Sequence, residues 1–489
     1  MTDASTSESM SPELMKVVER AQREPEGRFH SLAHLIDVPA LLRAYHRIRK
    51  DGAVGVDGVT KEQYGQKLQE NLENLHARLK AKQYRHQPIR RVHIPKDNGK
   101  TRPIGISAFE DREVQDAIRE VLQAIYEQDF LDCSHGFRPG RGAHDAIRAL
   151  DRVVHRGEVN WVLEADIVSY FDSLDRTELM KLIQIRVADG SLLRLIGKCL
   201  HVGVLDGADY TEPEKGTIQG SGLSPLLGNI YLHYVLDLWF EREVKPRLSG
   251  KSTLIRYADD LVITFENQDD AKRVMEVLGK RMGRFGLTLH PDKTRLVPFR
   301  RPPAGQSSGK GPATFDFLGF TLHYARAKTG RWGMCCKTRS SRLRRTIKSI
   351  ADWCRGNRHK PVKVQHEALC RRIQGHYNYF GVSGNFRCLL LGQQEVRRAW
   401  FKWLRPSESK NASELGEVFG TTQAFPSPAS QYPCPNLGRL ATSHTDGGAV
   451  WWKSPSTDLA RARGGRPLLA TLQRPSAHQI ASARNVRPK

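Results

Sequence analysis

Two adjacent carboxylates, Asp259 and Asp260, interrupt a strongly apolar stretch of the sequence. Residues 254–257 and 261–264 on either side are rich in types that favour strands, which predicts a β-hairpin with both acids at its tip. Like charges that are half buried between apolar strands repel each other and lose hydration. A divalent cation relieves both costs, and Mg²⁺ prefers carboxylate oxygen. The pair therefore indicates a metal site, although aspartate is also common in solvated hairpin turns.

A third acid, Asp166, ends the apolar run 161–165, which predicts a buried strand. An acid among apolar neighbours is costly unless it is paired or bound to a metal. Asp166 is therefore the natural third carboxylate for the site at the hairpin. The polar residues Ser169 and Asp172 lie just beyond it, and either suits a helix cap that begins the next helix, which is a structural role and not a chemical one.

The composition is strongly basic, with 77 Lys and Arg residues against 53 Asp and Glu and a net charge of +24. Phosphate contacts by Lys and Arg supply most non-specific affinity for nucleic acid, so this excess favours a nucleic-acid partner over a merely basic protein. The eight cysteines form no C-x-x-C pair, which argues against a zinc ribbon and fits a reduced cytosolic compartment. No apolar run reaches membrane-spanning length, and residues 1–25 lack the apolar core of a signal peptide. The composition predicts a soluble intracellular protein.

A cationic hairpin is predicted at residues 89–106. Two alternating, strand-like runs enclose Asn98 and Gly99, which is a strong signal for a tight turn. The hairpin is either a solvated edge protected by charge or a basic finger that covers phosphates. Its cations are Arg90, Arg91, Lys96, Lys100 and Arg102.

Two glycine-rich segments, 134–142 and 216–225, allow close backbone approach to a substrate. The first also carries Arg138 and Arg141, whose guanidinium groups suit a phosphate chain. An ordinary surface loop explains the first segment equally well, and an ordinary helix start explains the second.

The remaining periodicity predicts mostly helices. One amphipathic face runs through 64–79, and beyond about residue 335 the pattern becomes helical and basic. A Pro/Gly/Ser linker is predicted at 299–313, and periodicity fades from about residue 406. Further helices are predicted at 32–45, 114–125, 176–200, 226–238 and 270–285.

Taken in order, these motifs resemble the reverse transcriptase of bacterial group II introns, the intron-encoded maturase, from about residue 32 to 405. The resemblance implies a right-hand polymerase of α/β (α+β) class, with a ferredoxin-like antiparallel palm sheet followed by an α-helical thumb, the maturase domain X. Ile218 and Ser107 stand where the family usually has proline, but neither change removes a catalytic side chain. The implied divisions are a polar extension at 1–31, an extension loop and fingers at 32–155, a palm at 156–330, the thumb at 331–405 and a poorly ordered tail at 406–489 without a recognisable endonuclease.

The resemblance also implies roles for individual residues. Asp166, Asp259 and Asp260 match the catalytic acids, which with the Ile167 carbonyl would hold two Mg²⁺ ions, with Mn²⁺ as a substitute. The matches to the nucleotide-binding positions are Lys96, Arg102, Phe171, Gln219 and Lys293. Residues 317–320 look like the family's primer grip, and the basic thumb is expected to hold the RNA–DNA duplex through its backbone. The expected nucleic-acid contacts are Arg138, Arg141, Gly220, Leu318, Gly319, Arg344, Arg345, Arg371 and Arg372.

The implied function is RNA-directed DNA synthesis in an intron ribonucleoprotein of the bacterial cytoplasm, together with assistance to splicing and mobility by target-primed reverse transcription. The expected partners are an intron RNA template, a DNA primer or target, and deoxynucleoside triphosphates. The sequence does not distinguish a monomer from a homodimer. Two alternatives stay open: a non-catalytic RNA-binding maturase, and a domesticated or defence-linked reverse transcriptase without an intron.

Overall fold

The computed structural model of the protein describes residues 10–95, 101–303, 313–326 and 332–404. Lys96, the Asn98–Gly99 turn, most of the predicted linker and the tail from 406 lie outside these residues. The strands are β1 (Ile89–Pro95), β2 (Thr101–Ile106), β3 (Trp161–Asp166), β4 (Val204–Asp206), β5 (Asp209–Thr211), β6 (Ser252–Tyr257), β7 (Asp260–Phe265), β8 (Arg295–Pro298), β9 (Phe315–Phe317), β10 (Phe320–Arg326) and β11 (Trp332–Thr338).

Helices make up much of the rest of the described chain. None of the described helices is long and apolar enough to cross a membrane. The α-helices are α1 (Pro12–Arg23), α2 (Val38–Arg47), α3 (Lys61–Gly65), α4 (Leu68–Lys80), α5 (Phe109–Asp129), α6 (Ala143–His155), α7 (Tyr170–Ser173), α8 (Arg176–Gln184), α9 (Gly190–Leu200), α10 (Ser224–Leu232), α11 (Gln268–Arg284), α12 (Ser340–Gly356), α13 (Val362–Phe380) and α14 (Phe386–Trp403).

The central sheet is antiparallel and has the strand order β6-β7-β3-β8. With its helices it follows the β-α-β-β-α-β order of a ferredoxin-like unit, so the predicted mixed α/β fold with an antiparallel sheet is confirmed. Successive residues of a strand point to opposite faces. Leu163 and Ile263 pack into one core, whereas Val162 and Val262 pack into another. Burial on both faces explains why these strands are nearly continuous apolar runs.

A second sheet has the order β2-β1-β4-β5. The predicted cationic hairpin supplies its first two strands, in a register that pairs Arg90 with Ile106 and Ile94 with Arg102. β1 also pairs in parallel with β4, and the sequence did not predict that partner. The strands of the hairpin are confirmed, while its turn lies outside the described residues.

A third sheet, in the order β11-β10-β9, covers one face of the central sheet together with α6 and α12–α14. The prediction that the chain is helical from about residue 331 is wrong for Trp332–Thr338, which forms β11. The strand pairs with β10 over its whole length, and that long-range pairing overrides the local pattern.

The predicted helix at 176–200 is interrupted. Asp189 accepts hydrogen bonds from the N–H groups of Ser191 and Leu192 and so begins α9. The same carboxylate also accepts from the N–H groups of Leu32 and Ala33 at 2.6 and 2.8 Å. The break therefore joins the N-terminal part of the chain to the helices packed under the central sheet.

Glu113 of α5 is fully buried, and neither carboxylate oxygen completes a hydrogen bond of normal geometry with any group that the structure describes. Burial raises the pKa of Glu113 to about 8, and the nearby Tyr64 hydroxyl and Lys61 ammonium offset this only in part. Because the folded pKa lies above the ordinary value of 4.5, the stability that depends on the protonated carboxyl is lost as pH rises from about 4.5 through 8.

We therefore expect Glu113→Gln to raise the free energy of unfolding at pH 8.5 by on the order of 2 kcal/mol, with little change at pH 4. Urea unfolding at both pH values measures the difference. Glu62→Gln is a suitable control, because Glu62 is exposed and its pair with Lys50 contributes little. A variant that is less stable than the parent at pH 8.5 would contradict this assignment.

Candidate active site

The three predicted acids lie at one end of the central sheet. Asp166, the last residue of β3, is the register partner of Asp260, the first residue of β7. Tyr257 pairs with Asp260 across β6 and β7, so Ala258 and Asp259 form the two-residue turn of the hairpin. Ala258 has a φ of 55°, in the left-handed region that such tight turns require. Adjacent strands lie about 5 Å apart, so the register alone brings the acids together.

The segment between α11 and β8 holds the end of β3 in place. The carbonyl of Asp166 accepts a hydrogen bond from the N–H of His290 at 2.8 Å, and Val168 donates to the carbonyl of Thr288 at 2.9 Å. Ile167, whose carbonyl is the predicted backbone ligand, bridges to Leu289 between these two bonds. The backbone at the predicted metal-binding edge is therefore held on both sides of Ile167.

Burial makes the hairpin carboxylates difficult to ionise. It raises the pKa of Asp260 to about 7, and repulsion from Asp166 and Asp259 adds to the effect. Burial likewise raises the pKa of Asp259, again with a contribution from Asp166, while Arg102 and Lys293 oppose the increase. A divalent cation stabilises the ionised form of acids that are clustered in this way.

Lys293, a predicted nucleotide-binding residue, forms an ion pair with Asp166. Its ammonium group supplies positive charge among the three carboxylates. Among the described residues, no three His, Cys, Asp or Glu side chains are grouped closely enough to form a ready-made metal site. The donor chemistry and the mutual repulsion of the acids fit Mg²⁺, but Asp166 must exchange its contact with Lys293 to contribute to such a site.

Some of the predicted nucleotide-binding residues lie near this end of the sheet. Arg102 lies on β2, close enough to the acids to lower the pKa of Asp259. The carbonyl of Gln219 accepts from the Gly105 N–H at 2.7 Å, which packs the glycine-rich loop against β2. Gly220 has a φ of 115°, and a side chain there would meet the Gly105 carbonyl at 2.5 Å. Lys96 lies outside the described residues, so its predicted role stays a prediction.

Phe171 lies just beyond β3, at the start of α7. Its carbonyl accepts a hydrogen bond from the Thr217 N–H at 2.6 Å. A side chain at Gly228 would lie 3.2 Å from the ring, so a glycine on α10 gives the half-buried ring its space. The ring is therefore held between the glycine-rich loop and α10.

The first glycine-rich segment, 134–142, packs against the turn formed by Ala258 and Asp259. A side chain at Gly136 would lie 2.4 Å from the backbone nitrogen of Ala258, so only glycine fits there. The next residue, Phe137, is 54% exposed and its ring centroid lies 6.4 Å from that of Tyr257. This loop is therefore packed against the hairpin turn and presents an aromatic ring beside it.

Arg138 requires a correction. It was predicted to contact nucleic acid, but its side chain is buried and pairs with Glu127 at 3.0 Å. It also donates hydrogen bonds to the carbonyls of Leu131 and Ser134 at 2.9 and 3.0 Å. The structure gives Arg138 a structural role in the loop. Arg141 is partly exposed and pairs with Asp132 at 2.7 Å.

The predicted primer contacts, Leu318 and Gly319, form the turn between β9 and β10. Their φ angles are 51° and 78°. The N–H of Leu318 lies 3.4 Å from Oδ2 of Asp260, which places this turn directly beside the acids. The predicted thumb cations lie elsewhere, on the exposed surfaces of α12 and α13: Arg344, Arg345, Arg371 and Arg372.

A buried ionic network beneath the turn was not predicted. Arg256 and Asp237 are both fully buried, and two hydrogen bonds of 2.9 and 2.6 Å join them. The guanidinium group also donates to the Ala258 carbonyl at 3.0 Å, to Asn229 at 2.9 Å and to Ser134 at 2.8 Å. An arginine within an apolar strand was the available signal, because a buried charge requires a partner.

Comparison with known proteins identifies one matching family model and several similar proteins. A family model described as "Reverse transcriptase (RNA-dependent DNA polymerase)" matches residues 94–322. Protein YkfC of Escherichia coli K12 is 36% identical over 318 residues, which are 58% of this chain and 83% of YkfC.

Intron-encoded proteins are also similar to the chain. The group II intron-encoded protein LtrA of Lactococcus lactis is 35% identical over 249 residues, or 49% of this chain and 41% of LtrA. The putative COX1/OXI3 intron 1 protein of Saccharomyces cerevisiae is 26% identical over 350 residues, or 62% of this chain and 41% of that protein. The chain thus spans less than half the length of these two relatives.

Proposed function

The chain belongs to the reverse transcriptase family that includes group II intron-encoded proteins, and we propose that it is an RNA-directed DNA polymerase. The observation that carries this proposal is the juxtaposition of Asp166 and Asp260 in register across β3 and β7, with Asp259 in the adjoining turn. Two neighbours of these acids support the proposal: Arg102 of the cationic hairpin, and the Leu318–Gly319 turn, whose N–H at Leu318 lies 3.4 Å from Asp260.

Two divalent ions, for which Mg²⁺ is the best match to the donor set, would activate the primer 3′-hydroxyl and stabilise the leaving pyrophosphate. Asp166 and Asp259 would hold both ions, with Asp260 and the Ile167 carbonyl in support. Arg102 and Lys293 would then offset charge on the triphosphate, as cationic groups do in phosphoryl transfer.

Primer extension on an RNA template with Mg²⁺ and deoxynucleotides tests the proposal. We expect DNA products of template length, which disappear when the metal is chelated. Tight RNA binding without synthesis in either Mg²⁺ or Mn²⁺ would instead favour a non-catalytic RNA-binding maturase.

A second role, binding of an intron RNA to assist its splicing, is favoured by the exposed arginines of α12 and α13 and by the similarity to LtrA. A basic surface of this kind binds RNA through its backbone phosphates. An intron RNA that splices faster with the protein than without it, at a magnesium concentration that limits self-splicing, would support this role. A domesticated or defence-linked enzyme would show primer extension but no effect on splicing.

Phe171 is proposed to exclude the 2′-hydroxyl of ribonucleotides by bulk. We expect Phe171→Ala to reduce the preference for deoxynucleotides roughly ten- to a hundredfold, because an apolar pocket rejects a substrate that carries one extra hydroxyl by a factor of up to about a hundred. Single-nucleotide incorporation of dCTP and rCTP opposite the same template base measures the ratio.

Tyr170→Phe is the matched control for this experiment. Tyr170 is the adjacent ring, but it is buried and donates to the Gly228 carbonyl at 2.6 Å. The control should therefore keep the preference. Unchanged discrimination in Phe171→Ala would remove Phe171 from this role.

A further inference from the structure

A hydrogen bond connects helix α13 to the turn beside the acids. The Tyr379 hydroxyl donates to the carbonyl of Leu318 at 3.0 Å. The N–H of the same leucine lies 3.4 Å from the Asp260 carboxylate. A single residue, Leu318, thus separates a helix of the C-terminal region from a proposed metal-binding acid.

Contacts on two sides hold Tyr379 itself. Its ring stacks against that of Phe320, with centroids 6.0 Å apart and planes 9° from parallel. Its backbone carbonyl lies 2.6 Å from Nε2 of His144, a residue of α6. The stacking restricts the ring and the His144 contact restricts the backbone, so the hydroxyl is directed toward Leu318 although the residue is 40% exposed. The bond to Leu318 is therefore preorganised.

The turn at Leu318 needs such support. Leu318 is not a glycine, yet its φ of 51° is left-handed, and a branched side chain is unfavourable there. Residues in strained conformations persist only where surrounding contacts determine them. The side chain of Leu318 packs against the hydrophobic cluster of the third sheet, and two hydrogen bonds hold its backbone: the N–H contacts the Asp260 carboxylate and the carbonyl accepts from the Tyr379 hydroxyl.

We propose that Tyr379 is a positioning residue for DNA synthesis. Its hydroxyl holds the Leu318–Gly319 turn against Asp260, so that the 3′ end of the primer lies in line with the carboxylates. This inference rests on the proposed polymerase function. One hydroxyl of α13 then connects the helices that are expected to hold the duplex, α12–α14, with the chemical step.

Tyr379→Phe tests the proposal, because it keeps the stacked ring and removes only the hydrogen bond. Tyr377→Phe is the matched control: Tyr377 lies on the same helix, and its buried hydroxyl has no hydrogen-bond partner within the described residues. The measurements are the single-turnover rate at saturating dNTP, the dNTP concentration for half-maximal rate, and the thermal unfolding midpoint.

For Tyr379→Phe we expect the maximal rate to fall about three- to tenfold, as the loss of one positioning hydrogen bond predicts. The half-saturating dNTP concentration should change by less than about twofold, because the hydrogen bond and the ring contact of Tyr379 are made to Leu318 and Phe320 and not to a predicted nucleotide-binding residue. The unfolding midpoint of Tyr379→Phe should stay close to that of the parent chain, and Tyr377→Phe should keep the parental rate.

Equal rates for the two variants would overturn the proposal. A loss of rate in Tyr379→Phe that accompanies a fall in its unfolding midpoint below that of the parent would also overturn the proposal, because the hydroxyl would then only stabilise the fold. Failure of the parent chain to extend a primer would overturn the polymerase function itself, and this inference with it. The parent chain in the same assay therefore separates the two failures.

Discussion

Asp259→Asn should reduce DNA synthesis by on the order of a thousandfold or more and leave the protein folded. Asparagine keeps the size of the side chain and the shape of the two-residue turn, but it removes the charge that holds a metal ion. Primer extension on an RNA template under single-turnover conditions measures the loss.

The same variant should not be less stable than the parent chain in the absence of metal. Burial raises the pKa of Asp259, and repulsion from Asp166 adds to it, so the ionised side chain opposes folding at neutral pH. Removing its charge relieves this cost. Urea unfolding in the presence of a chelator should therefore give an equal or higher free energy of unfolding.

Asp292→Asn provides a matched control. Asp292 is an exposed acid in the segment that packs against the end of β3, and no metal-binding role is proposed for it. It should keep synthesis close to the parental rate, and both variants should bind RNA with affinities within about twofold of the parent, since phosphate contacts by Lys and Arg dominate affinity. Synthesis that survives in Asp259→Asn would contradict the proposed chemistry.

The position of the acids was predictable because each determinant is local. Strand-forming residues on both sides of Asp259 and Asp260 indicate a hairpin, and the run before Asp166 indicates a buried strand. Two short predictions combine into one site once the strands pair. The cationic hairpin around Arg102 followed from the same kind of alternation.

What the sequence did not predict depends on contacts between distant segments. The charge of Arg256 requires a partner, yet nothing local indicates that Asp237 supplies it from the helical segment after α10. Tyr379 lies 61 residues from Leu318, and its ring resembles any other aromatic residue on a helix face. Arg138 shows the opposite error: an arginine among glycines suits a phosphate, but Glu127 on the preceding helix binds it instead.

The buried pair beneath the turn carries the second large effect. Asp237→Ala should lower the free energy of unfolding by about 3–5 kcal/mol, because it leaves the guanidinium group of Arg256 buried without a counter-ion. Both side chains are fully buried in the parent, so water does not replace the lost partner without local opening. Urea unfolding measures the change, and a loss below about 1 kcal/mol would contradict this account.

A second buried pair controls for stability alone. Arg186 and Asp129 are also nearly inaccessible and lie 2.8 Å apart, but Arg186 donates to the carbonyls of Glu24 and Gly27 and not to the acidic turn. Asp129→Ala should destabilise the protein comparably. Under conditions where each variant is fully folded, it should retain parental synthesis, whereas Asp237→Ala should not.

A double variant separates stability from the positioning of the turn. Replacing a buried ion pair by apolar residues of similar volume is often neutral for stability, so Arg256→Met combined with Asp237→Leu should recover most of the free energy lost in Asp237→Ala. The methionine cannot donate to the Ala258 carbonyl, which in the parent accepts from Arg256 at 3.0 Å. Synthesis should therefore stay at least about tenfold below the parental rate, the size expected when a misplaced reacting group persists in a stable fold. Full synthesis in a stable double variant would show that the hairpin and Gly136 alone hold Asp259 in place, and that the buried pair contributes only to folding.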